Sequence, residues 1–147
     1  MRKTNLKNDL QRILDTCKDS ANVFISAADH VKSEDLKNTL LLIALQRKNF
    51  VELLIRESWK SGYVLAPISS LGHILQKSFR AFMQPFASLD DEKLIISCRE
   101  SEEKLVELYD ITLMNEDIPI NLYQLIVEHQ QLVRITINEH LFVPAHV

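Results

Sequence analysis

Apolar residues recur along this chain in steps of three and four, the spacing of one face of an α-helix. The first such set comprises Leu6, Leu10, Ile13, Cys17, Ala21, Phe24, Ala28 and Val31. The second comprises Leu36, Leu40, Ile43, Arg47, Phe50 and Leu54. The third comprises Ile95, Cys98, Glu102, Leu105, Tyr109 and Thr112, and the fourth Leu122, Leu125, His129, Leu132 and Thr136. The periodicity therefore predicts four long amphipathic helices.

The residues that flank these sets indicate where each helix begins and ends. Ser33 is a favourable N-cap residue, and Gly62 can adopt the left-handed conformation that ends a helix. Pro119 suits the first turn of a helix, where its missing N–H has no cost. A shorter amphipathic stretch adds a fifth helix between the second and third. The expected helices lie at about 5–31, 34–61, 70–83, 90–115 and 119–142.

Composition supports an all-α fold in one domain. The chain has 147 residues with only 2 Gly and 4 Pro, too few for the turns of an all-β protein. Its length suits a single domain with a core of its own. We therefore expect residues 1–147 to form one domain.

Charge and hydropathy argue against several classes of partner. The formal net charge is −3, so no excess of positive charge attracts nucleic acid. The longest apolar run, 40–45, is too short to cross a bilayer. The basic start of the chain is not followed by the apolar segment of a secretory signal. Cys17 and Cys98 lack a CxxC spacing and fit a reducing compartment, so we expect a cytoplasmic protein.

The two halves of the chain resemble each other weakly. Residues 14–20 (LDTCKDS) are similar to residues 95–101 (IISCRES), and 42–44 (LIA) to 125–127 (LIV) at nearly the same offset. Two helical hairpins joined by a long connection describe the ferritin-like bundle. The expected architecture is an antiparallel four-helix bundle of this kind, with a long crossover between helices 2 and 3 that carries the short fifth helix.

Several short motifs also resemble an uncharacterised bacterial family of the ferritin-like superfamily, known only as a domain of unknown function. The resemblance is carried by Cys17-Lys18-Asp19-Ser20, Phe24, Ala27-Ala28, the run 44–50 (ALQRKNF), Gly62, Pro67, Gly72, the run 98–102 (CRESE), Tyr109, Gln131 and Glu139-His140. It spans nearly the whole chain. It implies a bacterial source and a ferritin-like fold, and it implies no specific activity.

The ligands of a ferritin-like di-iron site are largely missing from this sequence. Such sites take a Glu from each of two helices and a Glu-x-x-His pair from each of the other two. No Glu-x-x-His occurs in the chain. On the second helix Arg47 and Phe50 stand where that pair would lie, and neither side chain can bind a cation. On the first helix Cys17 or Ser20 replaces the acid.

Two interpretations of the remaining polar residues stay open. Glu102, Glu103 and His129 could form a degenerate site for a single iron or manganese ion. Alternatively, Arg47, Glu102 and His129 form a buried polar cluster. We favour the cluster because a guanidinium at the centre supplies the positive charge and repels a metal ion. A nucleophile–base pair of Cys17 and His129 is disfavoured, because both residues lie on faces that should be dry.

The second helix is apolar on more than one face. Residues 40–45 are apolar nearly all round, and Val51 and Ile55 extend this surface. A helix of this kind must bury a second face. The crossover, with Phe79 and Phe82, could cover it, or a second subunit could; we expect a homodimer.

These observations lead to an expected function. The chain should be a non-enzymatic cytoplasmic bundle without catalytic residues or a cofactor, serving as a structural, stress-associated or protein-interaction module. The alternative is a metal-binding or redox protein with a degenerate site. A lipid-binding bundle is a third and weaker hypothesis.

Overall fold

A computed structural model describes residues 5–66 and 90–141 of the chain. Within these ranges there are four α-helices and no strand, so the prediction of an all-α protein is confirmed. The helices are α1 (Leu6–His30), α2 (Glu34–Lys60), α3 (Asp91–Leu113) and α4 (Ile120–Ile135). The predicted fifth helix at 70–83 lies outside the described residues, as does most of the expected crossover.

Polar side chains cap the first three helices. The side-chain oxygens of Asn5, Ser33 and Asp90 accept hydrogen bonds from backbone N–H groups three residues later, at 3.3, 3.2 and 2.9 Å. Each bond satisfies a donor that has no partner inside the helix. α2 and α3 also carry acidic residues in their first turns, which the helix dipole favours.

Gly62 ends α2 in a left-handed conformation, as the sequence predicts. Its φ of +88° lies in the left-handed region, which a residue with a side chain rarely adopts. The N–H of Gly62 donates to the carbonyl of Trp59 at 3.0 Å, and the N–H of Tyr63 donates to that of Ser58 at 2.8 Å. These two bonds form a Schellman motif, which uses carbonyls that the helix leaves free.

The last helix differs from the continuous segment predicted at 119–142. α4 ends at Ile135, and a π-helical turn, Thr136–His140, follows it. The N–H of Leu141 reaches back to the carbonyl of Thr136 at 2.9 Å, which widens the turn. Pro119 stands just before α4, at its N-cap.

Neighbouring helices run antiparallel. α1 packs against α2 and α3, and α4 packs against α3 and α2, so the four helices enclose a common core. Contacting pairs along α1 and α3 are Cys17–Tyr109 and Ser20–Glu102, and Lys32, just after α1, contacts Asp91. Contacting pairs along α2 and α4 are Phe50–His129 and Glu57–Asn121. Residue numbers therefore rise along one helix of each pair as they fall along the other.

The core has two apolar clusters with polar residues between them. The first cluster is built from Leu10, Leu14, Phe50, Leu54, Leu105 and Leu122, among others. The second includes Phe24, Ala28, Leu40, Ala44, Leu94 and Cys98. The side chains of Ser20, Arg47 and Glu102 are buried where the two clusters meet. None of the helices described by the structure is long and apolar enough to cross a membrane.

Candidate functional site

A buried ion pair joins α2 to α3 at the centre of the fold. The Arg47 guanidinium donates from Nη1 to Oε1 of Glu102 at 2.9 Å and from Nη2 to Oε2 at 2.6 Å. The two side chains are 1% and 0% exposed. Both lie on the inward stripes of their helices, which brings their side chains together in the core. This two-pronged geometry is the strongest that an arginine and a carboxylate can adopt.

Ser20 of α1 completes the ion pair. Its hydroxyl donates to Oε1 of Glu102 at 3.2 Å and accepts from Nη1 of Arg47 at 3.1 Å. The Phe24 ring lies 5.8 Å from the guanidinium carbon, within range of a cation–π interaction. The guanidinium nitrogen Nε of Arg47 has no hydrogen-bond partner among the described residues. Three helices thus share one charge-neutral cluster, which we call the Arg47 cluster (Ser20, Arg47 and Glu102).

A second hydrogen-bonded chain lies beside the Arg47 cluster. The Tyr109 hydroxyl lies 2.6 Å from Nδ1 of His129 and 3.3 Å from the Cys17 sulfur. The Phe50 ring stacks on the His129 imidazole, with centroids 3.7 Å apart and an interplanar angle of 9°. We call this group the Tyr109 chain (Cys17, Tyr109 and His129). It links α1, α3 and α4, so that each of the four helices contributes to the centre.

Burial suppresses ionisation along the Tyr109 chain. Burial, with Arg47 nearby, lowers the pKa of His129 to about 2, so its imidazole is neutral at pH 7. Burial raises the pKa of the Cys17 thiol to about 11 and places the pKa of Tyr109 well above its ordinary value. Burial opposes the charge on Arg47, but the Glu102 carboxylate outweighs it and raises the pKa of Arg47. The centre therefore holds one compensated ion pair and three neutral groups.

We expect both thiols of the folded protein to react slowly with a disulfide reagent at about pH 8. Burial raises the pKa of Cys17 to about 11 and that of Cys98 to about 12, and both thiols are free and buried. The rate should be about 100-fold or more below that of the denatured chain, because only the thiolate attacks. Absorbance of the released thiol measures the rate. Rapid labelling of one equivalent in the folded protein would contradict this expectation.

The donor set at the centre does not fit an iron or manganese ion. Both oxygens of Glu102 bind the guanidinium, and Nδ1 of His129 lies against the Tyr109 hydroxyl. Glu103 faces solvent at 52% exposure and pairs with Arg99 on the surface of α3. Across residues 5–66 and 90–141, no group of three or more His, Cys, Asp or Glu side chains could hold a metal ion.

The structure brings Arg47 and Glu102 into contact and places His129 in the neighbouring Tyr109 chain. Cys17 and His129 both contact the Tyr109 hydroxyl, so this hydroxyl mediates between a buried thiol and an imidazole. One feature of the sequence pointed to Tyr109. It lies seven residues after Glu102, two helical turns along the same face. Nothing in the sequence marked the hydroxyl as the link between three helices.

Comparison with known proteins gives one family match. The model of the family described as Domain of unknown function (DUF2383) matches residues 5–115, about three quarters of the chain. The matched region includes α1, α2 and α3, and with them the Arg47 cluster, Cys17 and Tyr109. His129 lies beyond it, in α4. No curated protein and no solved structure matches the chain.

Proposed function

The chain belongs to the family described as Domain of unknown function (DUF2383). We propose that it is a non-enzymatic ferritin-like bundle. Its role is structural, stress-associated or that of a protein-interaction module. One observation carries the proposal: the centre of the four helices is occupied by the Arg47–Glu102 ion pair. An arginine holds the position that a bound cation would need.

The charge balance at the centre supports a structural role. In a dry interior a lone carboxylate is costly, and a cation or a proton must compensate it. Arg47 supplies that cation covalently and permanently, since its guanidinium does not deprotonate in proteins. A metal ion entering next to it would meet a like charge at close range. Redox chemistry on iron would therefore lack both its ligands and its electrostatic environment.

The topology of the described helices supports a ferritin-like connection. α2 ends at Lys60, near Asn121 at the start of α4. α3 begins at Asp91, whose carboxylate accepts from the backbone N–H groups of Lys32 and Ser33, just before the start of α2. The two ends of the intervening segment thus lie at opposite ends of α2. A long crossover between the second and third helices, which the ferritin-like arrangement requires, agrees with these positions.

A cytoplasmic location for this module is consistent with its cysteines. Cys17 and Cys98 are both free and buried, and they pack as small apolar side chains. Proteins of oxidising compartments more often use their cysteines in disulfides.

Metal loading under anaerobic conditions tests the proposal. Purified protein would be incubated with excess Fe²⁺ or Mn²⁺, desalted, and analysed by inductively coupled plasma mass spectrometry. We expect far less than one equivalent of metal per chain, at the level found for an Arg47-retaining Glu102→Gln variant. One equivalent of metal in the wild type that is lost in both Glu102→Gln and His129→Gln would overturn the proposal and favour a metal-binding or redox protein.

A further inference from the structure

One face of the fold, formed by α2 and α4, exposes large apolar side chains. Leu42 and Leu45 of α2 are 66% and 56% exposed, and Leu132 and Ile135 of α4 are 40% and 46% exposed. These four residues line a groove between the two helices. We call this surface the α2–α4 face (Leu42, Leu45, Leu132 and Ile135). Exposed apolar side chains gathered in one groove are typical of a contact surface.

Charged residues border the α2–α4 face at opposite ends of α2. Residues 35, 42, 49 and 56 recur every seven positions and so lie close to one line of the helix surface, with a drift of about 20° per seven residues. Asp35 begins this line in the acidic first turn of α2, and Arg56 ends it one turn before the helix terminus. Asp35, Leu42, Asn49 and Arg56 are all exposed. The line is therefore negative at one end, apolar near its middle and positive at the other end.

We propose that a second copy of this chain docks on the α2–α4 face, with the two α2 helices antiparallel across a two-fold axis. This axis passes between residues 45 and 46, the midpoint of Asp35 and Arg56. Each Asp35 then faces the Arg56 of the other copy, and the two Leu45 side chains meet near the axis. A two-fold interface needs such a self-complementary surface, because each residue pair occurs twice.

The charge pattern disfavours the parallel arrangement of the two α2 helices and also disfavours other occupants of the face. With α2 helices parallel, Asp35 would face Asp35 and Arg56 would face Arg56, and the helix dipoles would also repel. A strongly basic or acidic partner would match one end of the line and be repelled by the other. Only a partner with the reverse order of charges satisfies both ends, and this chain provides that order when it is turned by 180°.

The positions of α4 fit the same axis. Phe50 contacts His129 and Glu57 contacts Asn121, so α4 runs antiparallel to α2, and Leu132 and Leu45 line the same groove. A two-fold axis across α2 therefore also brings the α4 helices of the two copies together at Leu132. Apolar contacts from both helices supply affinity, while the outer charge pairs set the orientation.

Light scattering coupled to size-exclusion chromatography tests the apolar part of the proposal. The wild type at high micromolar concentration is expected at twice the chain mass of 17.0 kDa. A Leu42→Glu/Leu45→Glu variant is expected at the mass of one chain, because two acidic side chains per copy would be placed in the contact. Ile111→Glu is the matched control: Ile111 is 48% exposed on α3, away from the face, and its change should leave the dimer intact.

A charge exchange tests the orientation. Asp35→Arg and Arg56→Asp are each expected to raise the dimer dissociation constant about tenfold, since each change creates two like-charge pairs. The double variant Asp35→Arg/Arg56→Asp should return it to near the wild-type value, because both pairs are restored with reversed sign. Circular dichroism verifies that every variant is folded.

A wild type that remains at 17.0 kDa, or a folded Leu42→Glu/Leu45→Glu variant that still dimerises, would overturn the proposal. So would a double charge variant that is weaker than both single variants, because the antiparallel register requires rescue. Dimerisation through the α2–α4 face goes beyond the metal-free centre proposed above and does not depend on it. Metal analysis reports on Glu102 and His129, whereas the mass measurement reports on Leu42 and Leu45. A result that contradicts one proposal therefore leaves the other unaffected.

Discussion

Replacing Glu102 with leucine is expected to lower the free energy of unfolding by about 3–5 kcal/mol. The change leaves the Arg47 guanidinium, which is 1% exposed, in an apolar interior with Ser20 as its remaining polar contact. An uncompensated buried charge is among the costliest single defects in a protein core. Urea unfolding followed by circular dichroism measures the loss.

Two further variants separate this effect from simple loss of packing. Arg47→Met combined with Glu102→Leu removes both charges, and its stability should return to within about 1–2 kcal/mol of the wild type or exceed it. Glu103→Leu changes the neighbouring acid, which is 52% exposed, and should alter stability by less than about 0.5 kcal/mol. A double variant no more stable than Glu102→Leu alone would show that the ion pair is not the source of the loss.

Acidification below pH 6.5 is expected to destabilise the fold through His129, with a slope that approaches the one-proton limit of roughly 1 kcal/mol per pH unit as the pH falls further. Burial and Arg47 lower the pKa of His129 from 6.5 to about 2, so between these values the unfolded chain binds a proton that the folded chain does not. The contribution of the neutral His129 to the free energy of unfolding is therefore complete above pH 6.5 and is lost progressively as the pH falls. Urea unfolding at a series of pH values measures the slope.

A His129→Gln variant isolates this contribution. The neutral amide does not titrate, so the difference in unfolding free energy between wild type and variant should shrink as the pH falls. Asp19 acts in the opposite direction, because burial and Asp15 raise its pKa from 3.8 to about 6. Wild type and variant share Asp19, and its effect cancels in the difference. A difference that stays constant from about pH 6.5 to 4.5 would mean that His129 is protonated in the folded state.

The helices could be predicted from the chain because their causes are local. The apolar periodicity, the capping side chain of Ser33 and the left-handed turn at Gly62 each act within a few residues. The structure places the first three helices within two residues of the expected positions at either end. The π-helical turn after Ile135 was not predicted, since one extra residue per turn leaves no distinct local pattern.

The centre could be predicted only in part. Arg47 and Glu102 each interrupt an apolar stripe, and opposite charges on inward faces point to a pair. The partners of His129 could not be predicted. Successive residues lie about 100° apart around a helix axis, so the rotation of the helix about this axis decides which side chain faces the core. That rotation is set by packing against three other helices. The sequence therefore indicated that His129 is buried without indicating that it lies against Tyr109 and Phe50.

The sequence by itself determined that this protein is helical. It also determined where the helices begin and which side chains must be buried. It also determined that the Glu-x-x-His pairs of a di-iron bundle are missing, since a spacing can be read directly from a chain. Tertiary structure alone decided that Ser20 joins the ion pair, that Tyr109 lies between Cys17 and His129, and that Glu103 faces solvent. The physical reason is that secondary structure follows from nearby residues, whereas a buried polar contact depends on the relative rotation and height of helices far apart in sequence.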